Sequence, residues 1–248
     1  MGSIGMRLQH VQGRIASAVS AHGRAPGSVR LLAVAKTFGP EAVHAAHAAG
    51  QRAFGENYVQ EAVAKIEALA ALRAGPEGLE DLGGPDGVEW HLIGPLQSNK
   101  TRTVAEHFDW VQTIDRAKTA ERLAAQRPAH LAPLRLCVQV NTSGEASKAG
   151  AAPGEVMALV REIAALPPER VRLCGLMAIP EPAGSFDAQR AMHRRLRDLL
   201  ARVLGETGLP LDTLSMGMSG DLEAAVAEGA TIVRVGSAIF GERSRPAP

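Results

Sequence analysis

Thr213–Phe240 reads TLSMGMSGDLEAAVAEGATIVRVGSAIF. Two short apolar runs, Thr213–Met218 and Ile232–Gly236, each pass through a turn containing Gly and Ser into a helix start, at Leu222–Ala227 and near Ser237–Phe240. Their near-continuous apolar character is that of parallel strands covered on both faces. Upstream the same rhythm recurs. It predicts strands at Leu31–Lys36, Arg52–Gly55, Glu89–Gly94, Trp110–Ile114, Leu134–Asn141 and Arg172–Ile179. Helices are expected at Pro40–Ala49, Glu56–Arg73, Gln97–His107, Arg116–Gln126, Pro153–Ala165 and Ser185–Leu204, behind a leading helix at Met6–His22. Eight strands, nearly all followed by a helix, in 248 residues predict a single α/β domain, a (β/α)8 TIM-type barrel over residues 1–248. A doubly wound open sheet is the competing architecture, and it needs a reversal of strand order. The Gly/Pro/acid-rich stretch Ala74–Gly87 reads as a solvated loop, and the tail 244–248 as frayed.

Composition narrows the partners. Lys and Arg number 27 against 26 Asp and Glu, a net charge of +1, which makes no electrostatic case for nucleic acid or anionic lipid. Cys137 and Cys174 sit in apolar runs without CxxC or Cys/His spacing. They read as small core hydrophobes in a reducing compartment, and no metal site is expected. No apolar run approaches the ~20 residues of a membrane span. The start has no signal-peptide core, so a cytoplasmic location is expected.

Polar residues collect at the strand ends, which in a barrel converge on one rim. Lys36 ends LLAVAK. Desolvation there favours the neutral, nucleophilic amine, the form that condenses with an aldehyde. The alternative is a lysine whose stem lies along the barrel mouth with its ammonium in water. Ser219 follows LSMGM, and Gly236 and Ser237 follow IVRV. Such turns at helix starts offer backbone N–H groups to an anion, and a phosphate site after the last two strands is frequent in barrels. Plain capping by Ser219 and Ser237, with Gly217 and Gly236 relieving backbone crowding, is the competing explanation. Arg234, between Val233 and Val235, either donates to a cofactor ring nitrogen or forms a structural ion pair across the barrel. Glu56 and Asn57 read as a helix start, His91 as a hydrogen-bonded structural histidine, and Asn141–Gly150 as a surface loop or a lid.

Together AVAKT, FGENYVQE, WHLIGPLQSNK, QVNTSGEASKAG, GLMAIP, LSMGMSGDLEAA and VRVGSAIFGER, in order from near Val34 to Arg243, resemble the pyridoxal phosphate homeostasis protein family. The resemblance implies a barrel similar to the N-terminal domain of alanine racemase. It implies pyridoxal 5′-phosphate (PLP) held covalently on Lys36 as an internal aldimine, and its phosphate at Ser219, Gly236 and Ser237. It further implies Arg234 facing the pyridine nitrogen and Asn57 lining the pocket. Gly220 departs from the family pattern, which has an acidic residue there. The implied role is control of intracellular PLP, and so of amino-acid and keto-acid balance, without efficient turnover. PLP-accepting apoenzymes are the implied partners, with no nucleic acid or membrane. A monomer is expected rather than an obligate oligomer.

The residues bear on enzyme against carrier. A two-base racemase needs a second acid/base opposite the lysine. The chain has one tyrosine, Tyr58, and no residues left for a second domain once the barrel closes. A cation at the ring nitrogen weakens the electron sink that carbanion chemistry uses. No catalytic residue is therefore assigned. Tyr58, His91 or water as a base leaves a low-activity PLP-dependent racemase or lyase open. A phosphate-binding barrel enzyme with Lys36 as base also stays open. Lys100 and Lys148 are the alternative anchors by motif.

Overall fold

Pairing of the apolar runs closes the sheet. The computed structural model describes residues 2–74, 87–143 and 149–241. Its strands are β1 (Arg30–Val34), β2 (Ala53–Glu56), β3 (Glu89–Leu92), β4 (Trp110–Ile114), β5 (Leu134–Gln139), β6 (Val171–Met177), β7 (Thr213–Ser215) and β8 (Ile232–Val235). The helices are α1 (Ile4–Ala21), α2 (Pro40–Ala48), α3 (Val59–Ala74), α4 (Thr101–His107), α5 (Ala117–Gln126), α6 (Val156–Ala164), α7 (Phe186–Thr207), α8 (Leu222–Ala227) and α9 (Ser237–Phe240). All strands are parallel and pair in chain order, and β8 returns to β1 through Leu32↔Arg234 and Ala33↔Val235. The open-sheet alternative is thereby excluded.

Three boundaries differ for identifiable reasons. Ser3 caps α1, its Oγ accepting from Met6 N, so that helix begins two residues earlier than expected. Glu56, expected at a helix start, belongs to β2 and pairs with Leu92, and Ile93 N donates to its carbonyl. The helix expected at Gln97–His107 is split into a 3₁₀ turn, Ser98–Lys100, followed by α4. The loop after Ala74, apart from its last residue, and the tail 244–248 lie outside the described residues.

Strand residues alternate between two cores. Ala33, Phe54, Leu92, Val111, Leu136 and Val233 share one cluster with helix residues such as Val11, Val43 and Leu123, and so face the helical layer. Two separate clusters hold only strand and strand-end residues. These are Leu32, Val34, Ala53, Ile93 and Ile232, and Trp110, Cys137, Cys174 and Met177, which fill the barrel interior. Both cysteines are buried free thiols, and burial pushes Cys174 up to about 11.

Helix α1 packs on α8 and α9. Its apolar stripe Leu8, Val11, Ile15, Ala18 and Val19 is buried. Its polar face reaches the loops after the last two strands. Arg14 binds both oxygens of Glu223 (2.8 and 2.9 Å) and the Ser219 carbonyl (3.1 Å), while Arg7 Nε donates to the Ile239 carbonyl. Beside it, Arg190, Arg194 and Arg197 on α7 converge on the fully buried Glu228 that ends α8. Burial opposes ionisation of Glu228, and the three guanidinium groups more than offset it, holding its pKa below the usual carboxylate range. No helix among the described residues is long and apolar enough to cross a membrane.

Gly175 in β6 lies so close to β7 that a Cβ there would sit 1.9 Å from the Thr213 carbonyl oxygen. Gly175→Ala must push the two strands apart. It is expected to cost ~3 kcal/mol and to lower the thermal midpoint by roughly 6–12 °C. Calorimetry checks this, and an unchanged midpoint contradicts the close approach.

Candidate functional site

A cavity of about 670 Å³ opens at the C-terminal ends of the strands, a size suited to a small cofactor. Lys36, Asn57, Ser219, Arg234, Gly236 and Ser237, each singled out from sequence, all line it. Phe38, Ile93, Ile179 and Met218 supply apolar wall. Among the described residues its lining contains two cations, Lys36 and Arg234, and no carboxylate. A larger cleft of about 750 Å³ runs beside α1 near the N-terminal end of β1. The arginines there are engaged: Arg24 with the Val226 and Ala230 carbonyls, Arg52 with that of His47, and Arg30 with Glu89.

Lys36 keeps the parity of Leu32 and Val34, and so comes off β1 on its interior side, half-buried. The backbone beside it is held from α3. Lys65 Nζ donates to the Ala35 carbonyl and to Glu56 Oε1, both at 2.7 Å, and Glu61 Oε2 accepts from Thr37 N at 3.2 Å. Thr37 has φ +69°, a left-handed conformation costly for a β-branched residue, and such strain concentrates where surroundings over-determine the chain. Sequence reasoning missed Lys65 and Glu61. Their i,i+4 spacing just after FGEN was the available signal.

Glu56 is fully buried against Lys65, with Oε2 lacking any partner. Burial raises its pKa from 4.5 to about 7, against the opposing pull of Lys65. Asn57 follows, and Gly94 packs onto its backbone, where a Cβ would fall 2.1 Å from the Asn57 carbonyl oxygen.

The loops after β7 and β8 correct the capping expectation. Ser219 does not cap α8, since Asp221 holds that position. Asp221 Oδ1 accepts from Met218 N at 2.6 Å, and Oδ2 pairs with His193. Gly236 occupies the N-cap of α9, and Ser237 is its first helical residue. Neither serine is committed as a cap, so both remain with the cavity. Crowding does govern the glycines: Gly217 has φ +91° with Ala225 Cβ 2.4 Å from where its own would lie, and Gly236 faces the Val34 carbonyl at 3.1 Å. A side chain at Gly220 would meet nothing within 4 Å, so the acidic residue of the family pattern has room there.

Arg234 is buried in the cavity floor, and burial lowers its pKa to about 10, which leaves it charged at neutral pH. Among the described residues it forms no ion pair across the barrel. Its partners are Ser215 Oγ and the Ala178 carbonyl, both at 2.8 Å. His91 is structural, bonded to Glu89 and Gln112, and does not line the cavity. Tyr58 is 54% exposed and lies outside the lining too, as do Asn141 and Lys100. Lys148 and half of the Asn141–Gly150 loop, residues 144–148, fall outside the described residues.

This barrel and pocket are those of the alanine racemase N-terminal-domain class, whose family model matches residues 7–244. Similarity to individual proteins is more specific. A pyridoxal phosphate homeostasis protein of Pseudomonas aeruginosa is 52% identical over 100% of this chain and 99% of its own. One from Vibrio cholerae is 52% identical over 98% of each. The structure of PipY from Synechococcus elongatus with PLP bound is 39% identical, with a TM-score of 0.75 over 92% of this chain and 100% of its own. The chain belongs to the pyridoxal phosphate homeostasis protein family.

Glu56 makes a pH prediction. Its folded pKa lies above the unfolded value, so the folded state binds more protons between pH 4.5 and 7. Its stability contribution is therefore greatest below that window and is lost as pH rises through it, by up to ~3 kcal/mol. Glu56→Gln removes this dependence. Urea midpoints at pH 5 and pH 8 should show the wild type losing stability relative to the variant, and parallel curves would contradict the assignment.

Proposed function

We propose that this chain binds pyridoxal 5′-phosphate as a Schiff base on Lys36 and serves intracellular PLP homeostasis, passing the cofactor to apoenzymes that accept it, without efficient turnover. One observation carries the reading. A lysine, a buried arginine and two Gly/Ser loops, from opposite ends of the chain, line one cavity whose described residues include no acid.

The donor set fits the group. The Ser237 and Ala238 N–H groups that open α9, ahead of Ile239 and Phe240, which donate to the Gly236 carbonyl, and the Ser219 and Ser237 hydroxyls suit a phosphate. Phe38, Ile93, Ile179 and Met218 suit an aromatic ring. Arg234 cannot act as an acid at neutral pH, and donation from it leaves a ring nitrogen unprotonated. Bound PLP would supply an aldehyde, and Lys36 would be the residue whose amine holds it.

The absence of efficient turnover rests on what surrounds Lys36. Beside Lys36 and Arg234, the cavity lining among the described residues includes no titratable side chain. His91 is sealed in the core and Tyr58 lies on the surface, so neither is placed as the second base a racemase needs. Buried free thiols support a reducing, cytoplasmic setting.

The test is the absorbance of purified protein given PLP, followed by borohydride reduction and peptide mass mapping. Wild type should show an imine band and a reduced pyridoxyl group on Lys36, and Lys36→Ala should lose both. A colourless wild type that takes up no PLP overturns the reading. Covalent PLP persisting in Lys36→Ala moves the anchor elsewhere. Turnover of an added amino acid overturns the carrier role.

Gly94→Ala should weaken PLP binding about tenfold by displacing Asn57, the size of effect expected when one site contact is lost. Fluorescence titration checks it, and unchanged affinity removes Asn57 from the site.

A further inference from the structure

A polar chain runs through the barrel interior from the cavity floor to the opposite mouth. Arg234 Nη1 donates to Ser215 Oγ (2.8 Å), and Ser215 donates to Gln112 Oε1 (2.6 Å). Gln112 Nε2 donates to His91 Nδ1 (2.8 Å), and His91 Nε2 donates to Glu89 Oε1 (2.7 Å). Glu89 opens β3, at the barrel end away from Lys36, where Arg30 and Arg135 also bind it. Ser215 and Gln112 are 0% exposed, His91 1% and Arg234 3%.

The two ends dictate the polarity of everything between them. A guanidinium can only donate, and an ionised carboxylate can only accept. Ser215 must therefore accept from Arg234 and spend its own hydrogen on Gln112. The Gln112 amide is then fixed with its nitrogen toward His91, and His91 must carry its proton on Nε2. Burial holds the His91 pKa below its ordinary value, which preserves this tautomer. The His91 ring stacks on Trp110 at 5.1 Å, and the Arg135 guanidinium lies over the Trp110 ring at 5.4 Å. Arg234 is thus held by neutral acceptors, Ser215 and the Ala178 carbonyl, while Asp221, the carboxylate whose charge acts on it, is bonded to His193 and Met218 N instead. The guanidinium charge stays turned to the cavity.

We propose that Ser215 and Gln112 are positioning residues for Arg234, and that the chain anchored on Glu89 sets the orientation and field that the arginine presents to the ring of a bound cofactor. The function of the chain rests on the PLP reading. Its existence does not.

The test separates the two. In Ser215→Ala and Gln112→Met, the guanidinium protons of Arg234, assigned by comparison with Arg234→Lys in nitrogen-15 NMR spectra without PLP, should exchange about tenfold faster or more. With PLP, both variants should shift the absorbance band and its pH titration, whereas Ser215→Thr, which keeps the hydroxyl, should retain wild-type behaviour in both measurements. Unchanged exchange and unchanged spectra in Ser215→Ala and Gln112→Met overturn the proposal, as does a Ser215→Thr protein displaced as far as Ser215→Ala. Should wild type bind no PLP, the exchange measurement still decides whether the chain holds Arg234, and only the function reading falls.

Discussion

The ladder between β1 and β8 is the contact on which the site depends. Leu32 pairs with Arg234 and Ala33 with Val235, residues some two hundred positions apart, and this pairing closes the sheet. Closure removes the two free edges that an open sheet must protect. It also places the end of β1, with Lys36, beside the loops that follow β7 and β8. An open sheet of the same strands would leave these groups at opposite margins. The first strand supplies an amine, the last two supply a buried cation and a backbone cradle, and only ring closure makes them neighbours.

Inside that ring, alternation divides the labour. Residues of one parity meet the helices in a single large apolar core, and those of the other parity fill the interior. Interior apolar residues fall into two clusters, and Glu89, His91, Gln112, Ser215 and Arg234 form one continuous hydrogen-bonded set. Buried polar groups are costly singly and tolerable when every member is satisfied, and the members of such a chain polarise one another. The same logic explains the buried Glu228, which is held by three arginines of α7. Glu56 is the exception. One of its oxygens has no partner, and it sits two bonds' reach from the backbone beside Lys36 through Lys65. The strained Thr37 lies in the same place. Cost is therefore concentrated around the proposed anchor, as is common at functional sites.

Helix α1 stands outside the β/α repeat, and its contribution shows only in the contacts it makes. Arg14 and Arg7 bind main-chain carbonyls of the two loops that line the cavity. A leading amphipathic helix reads from sequence as a cover for apolar surface, which it is. Its cationic face, however, buttresses the cradle, and nothing in its periodicity signals that.

The amino-acid sequence alone determined the strand–helix rhythm and the barrel class, and it singled out six of the residues that line the cavity, Asn57 among them only through the family resemblance. The rhythm follows from local patterning, because apolar runs, turn residues and polar strand ends are written within a few positions of one another. Tertiary structure alone decided what those residues touch. Sequence left Arg234 open to a cofactor ring nitrogen or to a carboxylate across the barrel; among the described residues it bonds to Ser215 and the Ala178 carbonyl and to no carboxylate. Capping competed with anion binding at Ser219 and Ser237 in the sequence, and in the structure Asp221 and Gly236 hold the cap positions. Glu56 read as a helix start and became a buried strand residue facing Lys65. In each case the deciding partner lies on another strand, loop or helix. Hydrogen bonds are directional and short, so only the closed ring with its fixed register determines which donor meets which acceptor.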